Sequence, residues 1–273
     1  MLVFVVPIKS KQVSTNWKVF SLLIERTMRS ICQQSSQNFK IVAACHEIPE
    51  INFEHPNLEF IQVDFEPPTE ENIAKYDADD AYRNGAKEAD KAKKLMAGIA
   101  YAKKYNPTHF MVADADDCIH RDLVKFVEKD QEKTLGWYFK KGYIYNEGSK
   151  LIFLNKNTFN ILCGTCIIIK AAYIDLLFQE QPHPLYNHDF MELEGGKSLI
   201  PLPFPGAIYS IGNTENYCST PEAVKKMNSY NFLTRDFFEN IIRKLAKYRV
   251  RLVTQGFRNK FGLTRLDFTT VFK

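Results

Sequence analysis

HFMVADADDC, residues 109 to 118, runs from a continuous apolar segment into three carboxylates within four residues, Asp114, Asp116 and Asp117. Following the helix-stopping pair Asn106-Pro107, the apolar part reads as a strand buried on both faces. Strands of that kind do not ordinarily finish in clustered acids, and like charges so close together require a counter-charge. In open α/β sheets ligands gather beyond the carboxyl ends of the strands. In extended chain, side chains two apart point to the same side, so Asp114 and Asp116 can address one cation together. Oxygen-only ligation suits Mg²⁺ or Mn²⁺ better than zinc. Asp117 has a second possible use, as the cap of a helix expected to begin near Ile119 in DDCIHRDLVKFVEK, but a cap leaves Asp114 unexplained. An EF-hand is disfavoured, because the loop lacks the sixth-position glycine and carries Cys118 at the fifth.

Working outward, LVFVVPI (residues 2–8) has the β-branched look of a central strand. A helix is expected from about Thr15 to Gln33, with Phe20, Ile24, Thr27 and Ile31 on one face. FKIVAAC (39–45) and LEFIQVDF (58–65) supply two more strands, the latter ended by Pro67 and Pro68. The polar stretch from Glu66 to Asp90, with DADD at 77–80, reads as a surface loop. The next helix spans about Ala86 to Lys104, with Ala92, Leu95, Met96, Ile99 and Ala102 on one side and Lys91, Lys94 and Lys103 elsewhere. Strand and helix alternating in this way give βαβ units and a largely parallel sheet. The second half changes character. GWYFKKGYIYN (136–146), SKLIFLN (149–155) and CGTCIIIK (163–170) suggest antiparallel strands, LIPLPFPGAIYSIG (199–212) an extended proline-broken segment, and the chain from Thr234 a return to helix.

The bulk numbers exclude several classes. At 273 residues, 45% hydrophobic and 25% charged, the chain has an ordinary soluble composition and fits one α/β domain. Its net charge of +4 is interspersed rather than gathered into a stripe, so no nucleic-acid partner is expected. The exception lies between Arg243 and Lys260, where Arg243, Lys244, Lys247, Arg249 and Arg251 recur beside Ile241, Ile242, Leu245 and Leu252. That pattern reads as a basic amphipathic helix, either a solvated outer face or a peripheral contact with an anionic membrane surface. Leu2 to Ile8 is too short for a signal-peptide core or a membrane span, so a cytoplasmic location is expected. The six cysteines are scattered in apolar surroundings and read as free buried thiols, the CGTC pair included.

VFVVPIKS (3–10), RTMRSICQQ (26–34), FKIVAAC and DKAKKLMAGIAYAKKYNPTHFMVADADD (90–117), in that order, resemble the nucleotide-binding half of GT-A type glycosyltransferases, particularly the large family 2 group. The likeness covers Leu2 to Leu123. It implies a GT-A nucleotide-diphospho-sugar transferase fold in a single domain: a nucleotide-binding half (1–123), an acceptor half (124–233), and a C-terminal helix and tail (234–273). It further implies an enzyme using Mn²⁺ or Mg²⁺ to move a sugar from a UDP-sugar to a glycan or lipid-linked acceptor, with inversion. On this resemblance Asp114 and Asp116 are the metal-binding acids of the motif, with Ala115 between them, and Pro7 and Ile8 lie at the nucleotide. Where the family places an acid for the uracil, this chain has CHE, so His46 or Glu47 substitutes. Lys91 and Lys94 either lie near phosphate or are simply solvated helical lysines. In YNHDFMELEGG (186–196) Asp189 is the candidate general base, with His188 beside it at the acceptor. Trp137, Tyr138 and Tyr143 either stack on sugar rings or fill an antiparallel core. The family's late metal-binding histidine has no counterpart in SIGNTENYC, which offers Asn213, Glu215 and Asn216. Two other readings share the fold, a silent carbohydrate- or nucleotide-binding protein and a sugar nucleotidyltransferase. The second would carry a glycine-rich loop after the first strand, which PIKSKQVSTN lacks.

Overall fold

The structure is a computed structural model that describes residues 1–68, 85–130, 134–179, 184–188, 192–193, 197–216 and 248–266. Strand β1 (Leu2–Pro7) is buried along its whole length. It pairs in parallel with β2 (Phe39–Cys45) on one side and β4 (His109–Val112) on the other. β3 (Leu58–Gln62) extends the parallel set beyond β2. Burying each of Val3, Phe4, Val5 and Val6 contributes roughly 1.5–3 kcal/mol, which is why this strand sits at the centre. On the far side of β4 the direction reverses: β9 (Ile167–Lys170) is antiparallel to both β4 and β6 (Gly136–Tyr138), and Ile200–Pro201 runs parallel to β6. The seven-stranded sheet is thus mixed and mostly parallel, with the first-half strands in the order β3-β2-β1-β4.

Helix α1 (Trp17–Cys32) starts where Asn16 accepts a hydrogen bond from the Val19 amide. Helix α2 (Gly85–Ala102) lies against β1 and β2. Its close approach requires Gly98, where an added Cβ would stand 2.6 Å from the stiff Val5 side chain. Asn106, in the left-handed region at φ 51°, ends the helical segment and turns the chain into β4, as the Asn-Pro pair suggests. A second, five-stranded sheet holds β5 (Cys118–Ile119), β7 (Gly142–Asn146), β8 (Leu151–Asn155), Ala207–Ile211 and Tyr248–Leu252.

Four expectations are corrected. The chain after Asp117 continues as β5, because Ile119 pairs with Ala207, and the next helix, α3, covers only Leu123–Asp130, so Asp117 caps nothing. The surface loop expected up to Asp90 gives way to helix at Gly85; its residues 69–84 lie outside the described residues. The basic amphipathic helix is not formed over Tyr248–Leu252, which is an edge strand antiparallel to β8, followed by the short helix Gln255–Phe261. Alternation there puts Arg249 and Arg251 on one face of the strand, and residues 243–247 lie outside the described residues. Trp137 is 1% exposed and packs against Phe126 and His109, so it fills the core and cannot stack on a sugar. Tyr143 is likewise buried, against Phe257 and Phe261. Among the described residues no helix is long and apolar enough to cross a membrane.

Candidate active site

Helix α1 is not uniformly apolar toward the sheet. Arg26, Thr27 and Ser30, with Gln34 just beyond the helix, form a buried polar stripe. The hydroxyl of Thr27 donates to the carbonyls of Ala115 and Asp117, Ser30 Oγ accepts the Ile119 amide, and Gln34 donates to the His120 carbonyl. The helix thereby supplies hydrogen bonds to a segment whose backbone has left the parallel sheet and would otherwise hold unpaired buried groups. Arg26 completes the stripe with a two-pronged ion pair to Glu147, 2.6 and 3.0 Å, and further bonds to Ser210 Oγ and the Asp116 carbonyl.

The three acids have three different environments. Asp117 is fully buried and works as a hub: its carboxylate accepts from Thr165 Oγ1 (2.6 Å), Cys163 Sγ (3.1 Å) and the Ser210 amide (3.1 Å). Burial, reinforced by the charges of Asp116 and Asp114, pushes its carboxyl well above the usual carboxylate range. It is therefore not one of the cleft-facing acids. Asp114 is half-buried, bonds Thr165 Oγ1 through its own amide, and pairs with Lys91 Nζ at 2.7 Å. Burial works against the Lys91 charge, yet Asp114 and Glu88 outweigh it and hold the ammonium above its ordinary value. Asp116 accepts at one oxygen from the amides of both Asn213 (3.0 Å) and Asn216 (2.9 Å). The turn that delivers these amides holds Gly212 at φ 72° and Thr214 at φ 64°. Beside them the buried Glu215 ion-pairs with Lys9 and takes bonds from Ser14 Oγ and the Asn16 amide, closing the turn onto the end of β1.

Asp114, Ala115, Asp116, Pro7, Lys91 and Lys94 line one cleft together with Lys9, Lys87, Asp90, Tyr209, Glu215 and Asn216. Ile8, His46, Glu47, Trp137 and His188 are not among its lining residues. His46 is bonded through Nε2 to the Phe65 carbonyl, Glu47 accepts the Lys11 amide, and His188 Nδ1 lies 2.8 Å from the Asn160 carbonyl. Asp189 lies outside the described residues. Sequence reasoning missed Lys9, Asp90 and Thr165, and took CGTC for the start of a strand. It is instead a loop whose thiols are buried and not joined in a disulfide, and whose Cys163 and Thr165 both bind Asp117. No local signal marks Lys9 or Thr165, whose partners Glu215, Asp114 and Asp117 are dozens of positions away, and the i, i+4 pairing of Asp90 with Lys94 looks like any solvated helix pair.

The donor set fits a hard divalent cation held chiefly through substrate phosphates. Mg²⁺ in particular is usually bound by one or two carboxylates with the remainder from phosphate and water. Two carboxylates are present, and among the described residues no group of three or more His, Cys, Asp or Glu forms a metal cage.

Two predictions arise here. A Cβ on Gly164 would lie 2.9 Å from Asp114 Oδ2 and 3.1 Å from Lys91 Nζ, so Gly164→Ala displaces that pair while leaving the core untouched. Nucleoside-diphosphate affinity should fall about tenfold or more, with a thermal midpoint within about 3 °C of the parent. Calorimetric titration and a melting curve check both halves of the expectation. Asp116, raised to about 6 by burial and then by Asp114, with Asn213, Lys9 and Arg26 opposing, must lose its proton before it can hold a cation. Its folded value lies above the ordinary 3.8, so its contribution to stability falls as pH rises between the two while its capacity for a cation grows. Mn²⁺ affinity of the free protein should rise about fivefold from pH 5 to pH 6, and Asp116→Asn should flatten that rise.

No protein-family model matches the sequence, and no curated protein matches it. Among solved structures the chain is similar to S. aureus TarS 1-349, at 12% identity and TM-score 0.43, covering 77% of this chain and 60% of that one. The same TarS fragment in complex with UDP gives 13% identity and TM-score 0.42, over 77% of this chain and 60% of that one. Its complex with UDP-GlcNAc gives 11% and 0.39, over 90% and 66%. The chain therefore spans about 60% of the length of the TarS fragment first matched. Its mostly parallel sheet, flanked by helices and with its acids at the end of β4, is the architecture that the resemblance to GT-A type glycosyltransferases implies.

Proposed function

We propose that the chain is a metal-dependent glycosyltransferase that moves a sugar from a nucleoside-diphosphate sugar, a UDP-sugar first, to a hydroxyl of a glycan or lipid-linked acceptor with inversion. The observation that carries this reading is the meeting of acids and lysines in one cleft: Asp114 and Asp116 beyond β4, with Lys9, Lys87, Lys91 and Lys94 around them and Glu88, Asp90 and Glu215 also in its lining. Acids alone would repel a diphosphate, and lysines alone would not call for paired carboxylates. Together they suit an anion that arrives with a divalent cation.

Asp114 and Asp116 would hold Mg²⁺ or Mn²⁺, which when bound supplies Lewis-acid stabilisation of the departing diphosphate. Lys91 is ion-paired to Asp114 at 2.7 Å, within reach of any phosphate drawn to that carboxylate's cation. Lys9, clasped by Glu215 at the end of β1, lines the same cleft. Asn213 and Asn216 orient Asp116 through its Oδ2. Asp189 would take the proton of the acceptor hydroxyl.

Calorimetry with UDP, with and without Mn²⁺, tests the proposal. Binding that Mn²⁺ strengthens about tenfold or more is expected, together with slow Mn²⁺-dependent hydrolysis of a UDP-sugar. A folded protein that binds UDP under neither condition would overturn it, and binding without turnover would reduce it to a nucleotide-binding protein.

A further inference from the structure

At the end of β2 His46 is engaged with the Phe65 carbonyl and Glu47 with the Lys11 amide, and neither lines the cleft. Asp90, in helix α2, does line it. The residue is 8% exposed. Its Oδ2 accepts from Lys94 Nζ at 2.6 Å, while its Oδ1 is buried with no hydrogen-bond partner. His46 Nε2 stands 3.8 Å from that oxygen and is already bonded to the Phe65 carbonyl. A buried carboxylate oxygen without a donor is costly, and native structures rarely keep one without a use. Lys94, itself 0% exposed, also lines the cleft and has two further N–H groups to donate.

The position of the pair agrees with a base rather than a phosphate. Lys91 on the same helix reaches Asp114 beyond β4, whereas the Asp90–Lys94 pair lies toward the end of β2, with Asp90 Oδ1 3.8 Å from His46 Nε2. The sheet order places β1 between β4 and β2, so the cleft passes from the two acids, across Pro7, to the Asp90–Lys94 pair. That crossing covers two strand spacings, about 10 Å, which a ribose and one ring can bridge.

Resting on the nucleoside-diphosphate reading of the cleft, we propose that Asp90 Oδ1 accepts a ring N–H of the base while Lys94 donates to the carbonyl oxygen next to it. The matching edge is an imide or lactam, N–H beside C=O, and uracil fits it best. Cytosine and adenine present a ring-nitrogen lone pair where the N–H is required. Guanine adds an exocyclic amine for which no second free carboxylate oxygen remains, since Oδ2 is held by Lys94.

The experiment uses the full chain with Mn²⁺ and three probes, UDP, N3-methyl-UDP and inorganic pyrophosphate. The parent protein should bind UDP at least about tenfold more tightly than N3-methyl-UDP, because a site built around a hydrogen bond rejects the ligand that lacks it. The double variant Asp90→Leu/Lys94→Met removes both the acceptor and the donor without stranding either charge. It should discriminate less than about twofold while keeping the parent's affinity for pyrophosphate. Equal binding of UDP and N3-methyl-UDP by the parent would overturn the base assignment and leave the glycosyltransferase reading standing. A folded double variant that still discriminates would overturn it too. Failure of the parent to bind either UDP or pyrophosphate would bring down both.

Discussion

Replacing Asp116 with asparagine should abolish nearly all turnover, by about 10²–10³-fold, without weakening the fold. The side chain keeps its shape, and one amide oxygen can still accept from Asn213 and Asn216. What disappears is the charge, which burial and the neighbouring Asp114 already make costly to hold. A cation shared between two carboxylates loses half of its protein charge compensation, whereas the folded protein is relieved of a like-charge repulsion. Melting temperature should therefore stay level or rise, while Mn²⁺-dependent UDP binding collapses. A variant that melted well below the parent would show Asp116 to be a structural acid, and a fully active one would remove the cation from the mechanism.

The largest effect on stability is expected at Arg26. Its guanidinium is 0% exposed and ion-pairs with Glu147, itself 5% exposed, while also bonding Ser210 Oγ and the Asp116 carbonyl. Arg26→Met strands the Glu147 charge in the interior and should cost about 3–5 kcal/mol in urea unfolding. Much of that penalty belongs to the abandoned carboxylate rather than to the lost attraction. The double change Arg26→Met/Glu147→Leu should accordingly recover more than half of it. A double variant no more stable than the single one would place the loss in the bonds to Ser210 and Asp116 instead.

The first half of the fold was legible because its elements announce themselves locally. Continuous apolar runs fix β1, β2 and β4, periodicity fixes α1 and α2, and Asn106-Pro107 marks where helix yields to strand. Helix α2 also shows the limit of periodicity: Met96, on the expected inner side, is 41% exposed, whereas Lys94 is buried because Asp90 one turn earlier neutralises it. An i, i+4 acid–base pair looks the same in sequence on a wet face and on a buried one. Asp114 and Asp116 were visible for their violation of strand composition. The cap and cation readings left open for Asp117 both give way to a buried hub that has no local mark, because its donors, Cys163, Thr165 and Ser210, lie 46, 48 and 93 residues ahead. Tyr248–Leu252 was misread for a related reason. Alternating Arg, Val, Arg and Leu fits an edge strand as well as a helix face, and only the presence of β8 beside it decides.

The three donors to Asp117 come from the middle and later parts of the polypeptide. A nascent chain still lacking residues 163–210 would carry both cation-facing acids on a loop whose anchor had not yet been synthesised. Competence should accordingly arrive late and in a single step as the polypeptide leaves the ribosome, rather than growing with its length.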